Sequence, residues 1–74
     1  MTNDNHFSKS AGHRLIKSET NRRVSPEAGD TLVETLSEKA EEIAQEARKM
    51  ADHAGRATIR PEDVEKAADT VLKR

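Results

Sequence analysis

From residue 28 to residue 54 the apolar positions Ala28, Leu32, Leu36, Ala40, Ile43, Ala47, Met50 and Ala54 recur at steps of four or three. That spacing predicts one long helix with an apolar stripe, because a half-buried strand would alternate every second residue. Ser25 and Pro26 supply the start: a serine hydroxyl caps, and proline at the first helical position gives up only an N–H that has no partner there. Glu27 suits the positive end of the helix dipole, and Gly55 supplies the stop. The helix is expected over residues 26–54, roughly 43 Å at 1.5 Å per residue. Ala57, Thr58 and Ile59 read as a short extended piece. Pro61, Glu62 and Asp63 then open another helix, whose apolar face is Val64, Ala67, Ala68, Val71 and Leu72. Upstream, Gly12 to about Thr20 is expected to form a short helix that buries Leu15 and Ile16. Residues 1–11, rich in Asn, Ser and Thr, read as a flexible polar tail. The organisation is a tail over 1–11 and an all-α domain over 12–74, with helices in the order short, long, short.

Neither short helix is long enough to cover the long one, so the middle of its stripe needs another chain. Small residues sit there, Ala40 and Ala44, and let two long helices approach closely where they cross. Composition strengthens the argument. The 74 residues are 32% hydrophobic and 36% charged, with one Phe, no Trp, no Tyr and no Cys. Four Leu, four Val and three Ile make a thin core, and chains this small usually need a staple or a partner. Without cysteine there is no disulfide or thiolate metal site, which leaves oligomerisation. No apolar run approaches the roughly 18–20 residues that cross a bilayer, and no signal-peptide pattern opens the chain. A soluble, cytoplasmic protein is expected, without a membrane partner.

The net charge of −1 is uninformative, but its distribution is not. Arg14, Lys17, Arg22 and Arg23 outweigh Glu19 in residues 12–25, and Arg56 and Arg60 stand without a carboxylate in residues 55–61. Between them, residues 26–54 carry eight carboxylates against Lys39, Arg48 and Lys49. A fold that brings the two basic segments together has a basic edge on an acidic body, a local field that attracts anions. Catalysis finds no support: no nucleophile with a base, phosphate loop or carboxylate pair in a cleft can be assembled. His6, His13 and His53 share no helix face with a carboxylate at ligand spacing, so no metal, cofactor or small-molecule substrate is expected.

The residues at the helix boundaries carry a more specific signal. Arg23-Val24-Ser25 precedes the long helix, His53-Ala54-Gly55-Arg56-Ala57-Thr58-Ile59 follows it, and Asp63 stands five residues after Thr58. In these features, over about residues 13–72, the sequence resembles the archaeal histones. The resemblance implies a histone fold that dimerises head to tail in a handshake and binds double-stranded DNA without sequence specificity, bending, wrapping or compacting it in the nucleoid. It implies that the loop before the long helix of one protomer lies beside the loop after it in the other. Arg22, Arg23, Ser25, Thr58 and Arg60 would then grip phosphates, with Arg23 at the minor groove, and Arg14 and Lys17 would serve a central site where the two first helices meet. Arg56 and Asp63 would form a structural ion pair. Met50, His53 and Asp63 would lie where dimers stack into tetramers or filaments. Ala57 departs from the lysine common in the family, which removes one phosphate contact per loop pair. Two alternatives stand beside this reading. One is an interaction subunit that heterodimerises with another histone and has little DNA affinity of its own; the other is a tetramer that bridges duplexes.

Overall fold

A computed structural model describes residues 7–74 and consists of three helices: α1 (Lys9–Thr20), α2 (Pro26–His53) and α3 (Pro61–Leu72). The all-α, short–long–short order is the one expected. Helix α1 begins three residues before the expected Gly12, because Ser8 caps it: its hydroxyl accepts the Ala11 N–H at 3.1 Å. Residues 9–11 are therefore helical and not tail, while residues 1–6 lie outside the described part of the chain. At the far end Asn21 takes a left-handed conformation and its N–H reaches the Lys17 carbonyl at 2.8 Å, closing the last turn. Helix α2 ends in the same way. Gly55, at φ 71°, turns the chain so that the Arg56 N–H returns to the Ala51 carbonyl at 2.9 Å.

The chain forms two compact units, Met1–Ser37 and Glu38–Arg74, with α2 contributing to each. In the first, α1 packs on the opening turns of α2 through two glycines. A Cβ on Gly12 would lie 2.7 Å from the Gly29 carbonyl oxygen and 2.7 Å from a Val33 methyl; a Cβ on Gly29 would lie 3.0–3.1 Å from the backbone of His13. Only residues without side chains let the two backbones come this close. Gly12, Gly29, Val33 and Ser37 are the buried positions of this unit.

In the second unit α3 packs on the closing half of α2, and the buried positions are Ala47 and Ala51 on one helix and Asp63, Ala67 and Val71 on the other. Each set recurs every four residues, the repeat of one helix face. Arg74 reaches across this unit to Glu46 at 3.4 Å and Glu42 at 3.9 Å.

In the first half of α2 burial departs from the expected stripe by about one residue, whereas Ala47 in its second half and Ala67 and Val71 on α3 are buried as expected. In the first half of α2 the inner face is Gly29, Val33 and Ser37, whereas Ala28 and Leu32 are half-buried and Leu36 is 42% exposed. Leu15, expected inside, is exposed, and Ile16 is half-buried. In α3 the inner face includes Ala67 and Val71, while Val64 is exposed and Leu72 is 63% exposed. One residue along a helix is about 100° around it. Each short helix has docked on the side of α2 where small residues lie, which leaves Leu15 and Leu36 exposed in the first unit and Val64 and Leu72 in the second. The expected extended piece at Ala57–Ile59 is a bent loop, and the described residues contain no strand. Among the described residues no helix is long and apolar enough to cross a membrane.

Candidate nucleic-acid interface

In the first unit the loop between α1 and α2 is built by short-range hydrogen bonds. Thr20 donates its hydroxyl to the Ile16 carbonyl at 2.7 Å, and the same oxygen accepts the Arg22 N–H at 3.2 Å. The Val24 carbonyl lies 3.1 Å from His13 Nε2. Ser25 caps α2, its hydroxyl accepting the Ala28 N–H at 3.2 Å, and Pro26 follows as the first helical residue. These bonds set Arg22, Arg23 and Ser25 in the loop, all exposed, with exposed Arg14 and Lys17 one turn apart on α1. Arg14, Lys17, Arg22 and Arg23, and Lys9 with them, form no ion pair among the described residues.

The loop of the second unit, residues 54–60, is organised by one carboxylate. Asp63 accepts both guanidinium arms of Arg56, Nη1 at 2.8 Å and Nη2 at 2.9 Å, and its Oδ2 also accepts the Arg60 backbone N–H at 2.9 Å, capping α3. Arg56 Nη1 donates in addition to the Thr58 carbonyl at 3.0 Å. The Asp63 side chain is 5% exposed. Its hydrogen bonds from Arg56, and next from the Arg60 N–H, hold its carboxyl well below the ordinary aspartate range, and the same bond raises the Arg56 guanidinium. Arg56 is thus committed inward. Thr58 and Arg60 remain exposed, with Arg60 Nη1 3.9 Å from Glu62.

Met50, His53 and Asp63 line one shallow groove in this unit, together with Arg56, Glu62 and Lys66. Asp63 forms part of its wall while both its oxygens serve the loop. His53 is exposed at the end of α2, and His13 is engaged with Val24. His6 lies outside the described residues. Among the described residues no three His, Cys, Asp or Glu side chains are grouped to hold a metal ion.

The structure thus brings Arg14, Lys17, Arg22, Arg23 and Ser25 together in one unit, and Arg56, Thr58, Arg60, Asp63, Met50 and His53 in the other. Sequence reasoning missed the Gly12–Gly29 crossing and the His13–Val24 bond. The glycines carried a signal, since a glycine inside a helical pattern usually has a packing reason.

Three helices with capped boundaries, a clamped second loop and, around the first, a set of cations without an ion pair among the described residues make a scaffold that presents charge. The family of histone-like transcription factors (CBF/NF-Y) and archaeal histones matches residues 7–68, and the chain belongs to it. One of the subunits of the archaeal histone HAN1 from Thermococcus zilligii is 45% identical over 51 residues, 69% of this chain and 76% of that protein. Probable archaeal histone 3 of Methanocaldococcus jannaschii is 43% identical over 54 residues, 73% of this chain and 81% of that protein. The family is one of structural DNA-binding proteins and not of enzymes, and its archaeal histones are chromosome-associated.

Proposed function

We propose that this chain dimerises through the apolar surface left on its helices and binds the backbone of double-stranded DNA without sequence specificity, bending, wrapping or compacting the chromosome in the cytoplasm. The observation that carries the reading is the state of the cations. Those of the first unit are exposed and without carboxylate partners among the described residues, so they meet a phosphate without first breaking an ion pair. Dimerisation is supported by Leu36, Val64 and Leu72, which stay exposed on a chain with few large apolar residues. In the handshake arrangement of the family, Arg22, Arg23 and Ser25 of one copy stand beside Thr58 and Arg60 of the other, while Arg14 and Lys17 of the two copies serve the centre. The groove at Met50, His53 and Asp63 is the surface through which dimers would stack into tetramers or filaments.

Such contacts address phosphates and groove shape, so affinity should depend strongly on salt and weakly on sequence. Titrating a random-sequence duplex at 50 mM and 200 mM salt, with native mass read on the free protein, tests both halves of the proposal. A dimer whose affinity falls about 10³-fold between the two salts is expected for six or more phosphate contacts. A chain that does not bind at the lower salt overturns the DNA reading. A second reading is favoured by the near-neutral charge, by Ala57, and by a relative whose name makes it one part of a larger assembly: a chain that pairs with a more basic histone. It predicts a monomeric or unfolded chain that folds when that second histone is added.

A further inference from the structure

We infer that His13 is the positioning residue of the first loop: its imidazole ties the α1–α2 crossing to the backbone between the unpaired arginines and the cap of α2. The inference rests on the DNA-binding reading for its functional part, and on geometry alone for its structural part. His13 follows Gly12 and sits directly over Gly29, with its backbone atoms 3.0–3.1 Å from where a Cβ of Gly29 would be. The crossing therefore fixes the origin of the side chain. From there Nε2 reaches the Val24 carbonyl at 3.1 Å, eleven residues along the chain, in a half-buried setting. Val24 is flanked by Arg23 and Ser25, so the bond anchors the loop where it carries Arg22 and Arg23 into solvent. The acceptor is a carbonyl, so Nε2 must carry the proton; the neutral ring is then the Nε2–H tautomer, and the imidazolium donates equally well. A loop held this way loses less freedom when its arginines engage phosphate, which raises affinity without a new contact.

Three variants separate the donor from the ring. His13→Ala removes both, His13→Phe keeps bulk without an N–H, and His13→Gln keeps a donor. In the free protein, backbone order parameters over residues 22–25 should fall in the Ala and Phe variants and recover in Gln. Affinity for a random-sequence duplex at fixed salt should drop about threefold to tenfold in Ala and Phe, the range of one hydrogen bond, and recover in Gln. The penalty should vanish when Arg22→Ala and Arg23→Ala are combined and persist in an Arg60→Ala background. The inference fails if His13→Phe retains the order parameters of the parent, or if the penalty is the same in both backgrounds. Were the parent protein not to bind DNA, the functional reading would fall, and the order parameters would still decide whether His13 positions the loop.

Discussion

In residues 7–37 a short helix is docked on α2 by backbone contact between two glycines, His13 bonds to the loop that joins the two helices, and the five cations of the unit make no ion pair to a described residue. In residues 38–74 ion pairs are numerous, most of them within one helix or loop, and Arg74 alone carries one from the end of α3 to α2. Arg56 is locked on Asp63, Arg74 reaches Glu42 and Glu46, and Lys39, Arg48, Lys49, Arg60 and Lys73 each stand within 4 Å of a carboxylate. The second unit has more cations than the first, yet Lys66 alone among them has no ion pair with a described residue. Counting cations alone would put the second unit first, whereas counting those without a carboxylate partner among the described residues puts the first unit first. Availability depends on what already neutralises each cation, and a large number of cations in one unit is not by itself an anion site.

The contrast is broken most directly at the glycine crossing. Gly12→Val places a branched side chain where even a Cβ would sit 2.7 Å from a backbone oxygen, and a β-branched residue gains little helix propensity to offset the strain. Overpacking of this kind costs about 1–3 kcal/mol, so the urea midpoint should move clearly to lower denaturant. A variant with the parent's midpoint would show that the helices do not approach so closely. Gly12→Ala, which recovers about 1 kcal/mol of helix propensity, should be milder.

Next in size is the difference between free and paired cations in binding. Arg22→Ala together with Arg23→Ala should flatten the slope of log affinity against log salt by roughly one to two per protomer, whereas Lys73→Ala together with Arg74→Ala should leave it nearly unchanged. Equal effects of the two double variants would remove the distinction drawn between the units.

The smallest effect concerns acid pH. Above about pH 5 Asp63 is ionised in both the folded and the unfolded chain, and its contribution to stability is fully present. Below that, the unfolded chain takes up a proton that the folded chain, held ionised by Arg56 and the Arg60 N–H, does not. Stability therefore falls as pH is lowered, until the folded carboxylate itself protonates. Asp63→Asn should be less stable at neutral pH and show a shallower loss between about pH 4 and pH 2. An unchanged acid slope would mean that Asp63 is not the carboxylate the fold depends on. The first unit, in which the described residues form no such pair, should contribute little to that slope.

The long helix was legible because its signals are local. Ser25 and Pro26 begin it, Gly55 ends it, and the three-to-four spacing of its apolar residues is visible within any two turns. The start of α1 was misread by three residues because the cap, Ser8, stands in a run of polar residues where many could cap. The inner face of the first half of α2 was misread for a different reason. Periodicity finds the side richest in leucine, whereas α1 settled on Gly29, Val33 and Ser37, where the backbones come closer; Ala47, which the pattern did mark, is buried beside Ala51. The leucine side that the pattern marks is real; within one chain it stays open at Leu36 and Leu72.

The sequence by itself determined three helices, where the second and third begin, and the separation of basic from acidic stretches, since caps, turns and helical periods act over a few residues. The archaeal histone family was legible at the same boundaries, in Arg23-Val24-Ser25 and in the run from His53 to Ile59. The tertiary structure decided which face each helix buries, which cations are free, and that a histidine on α1 would hold the loop leading into α2. Those outcomes join residues far apart in the chain, Arg74 with Glu46 across 28 positions and His13 with Val24 across 11. No local preference encodes such distances; they follow from how closely two helices can approach, which their smallest residues set.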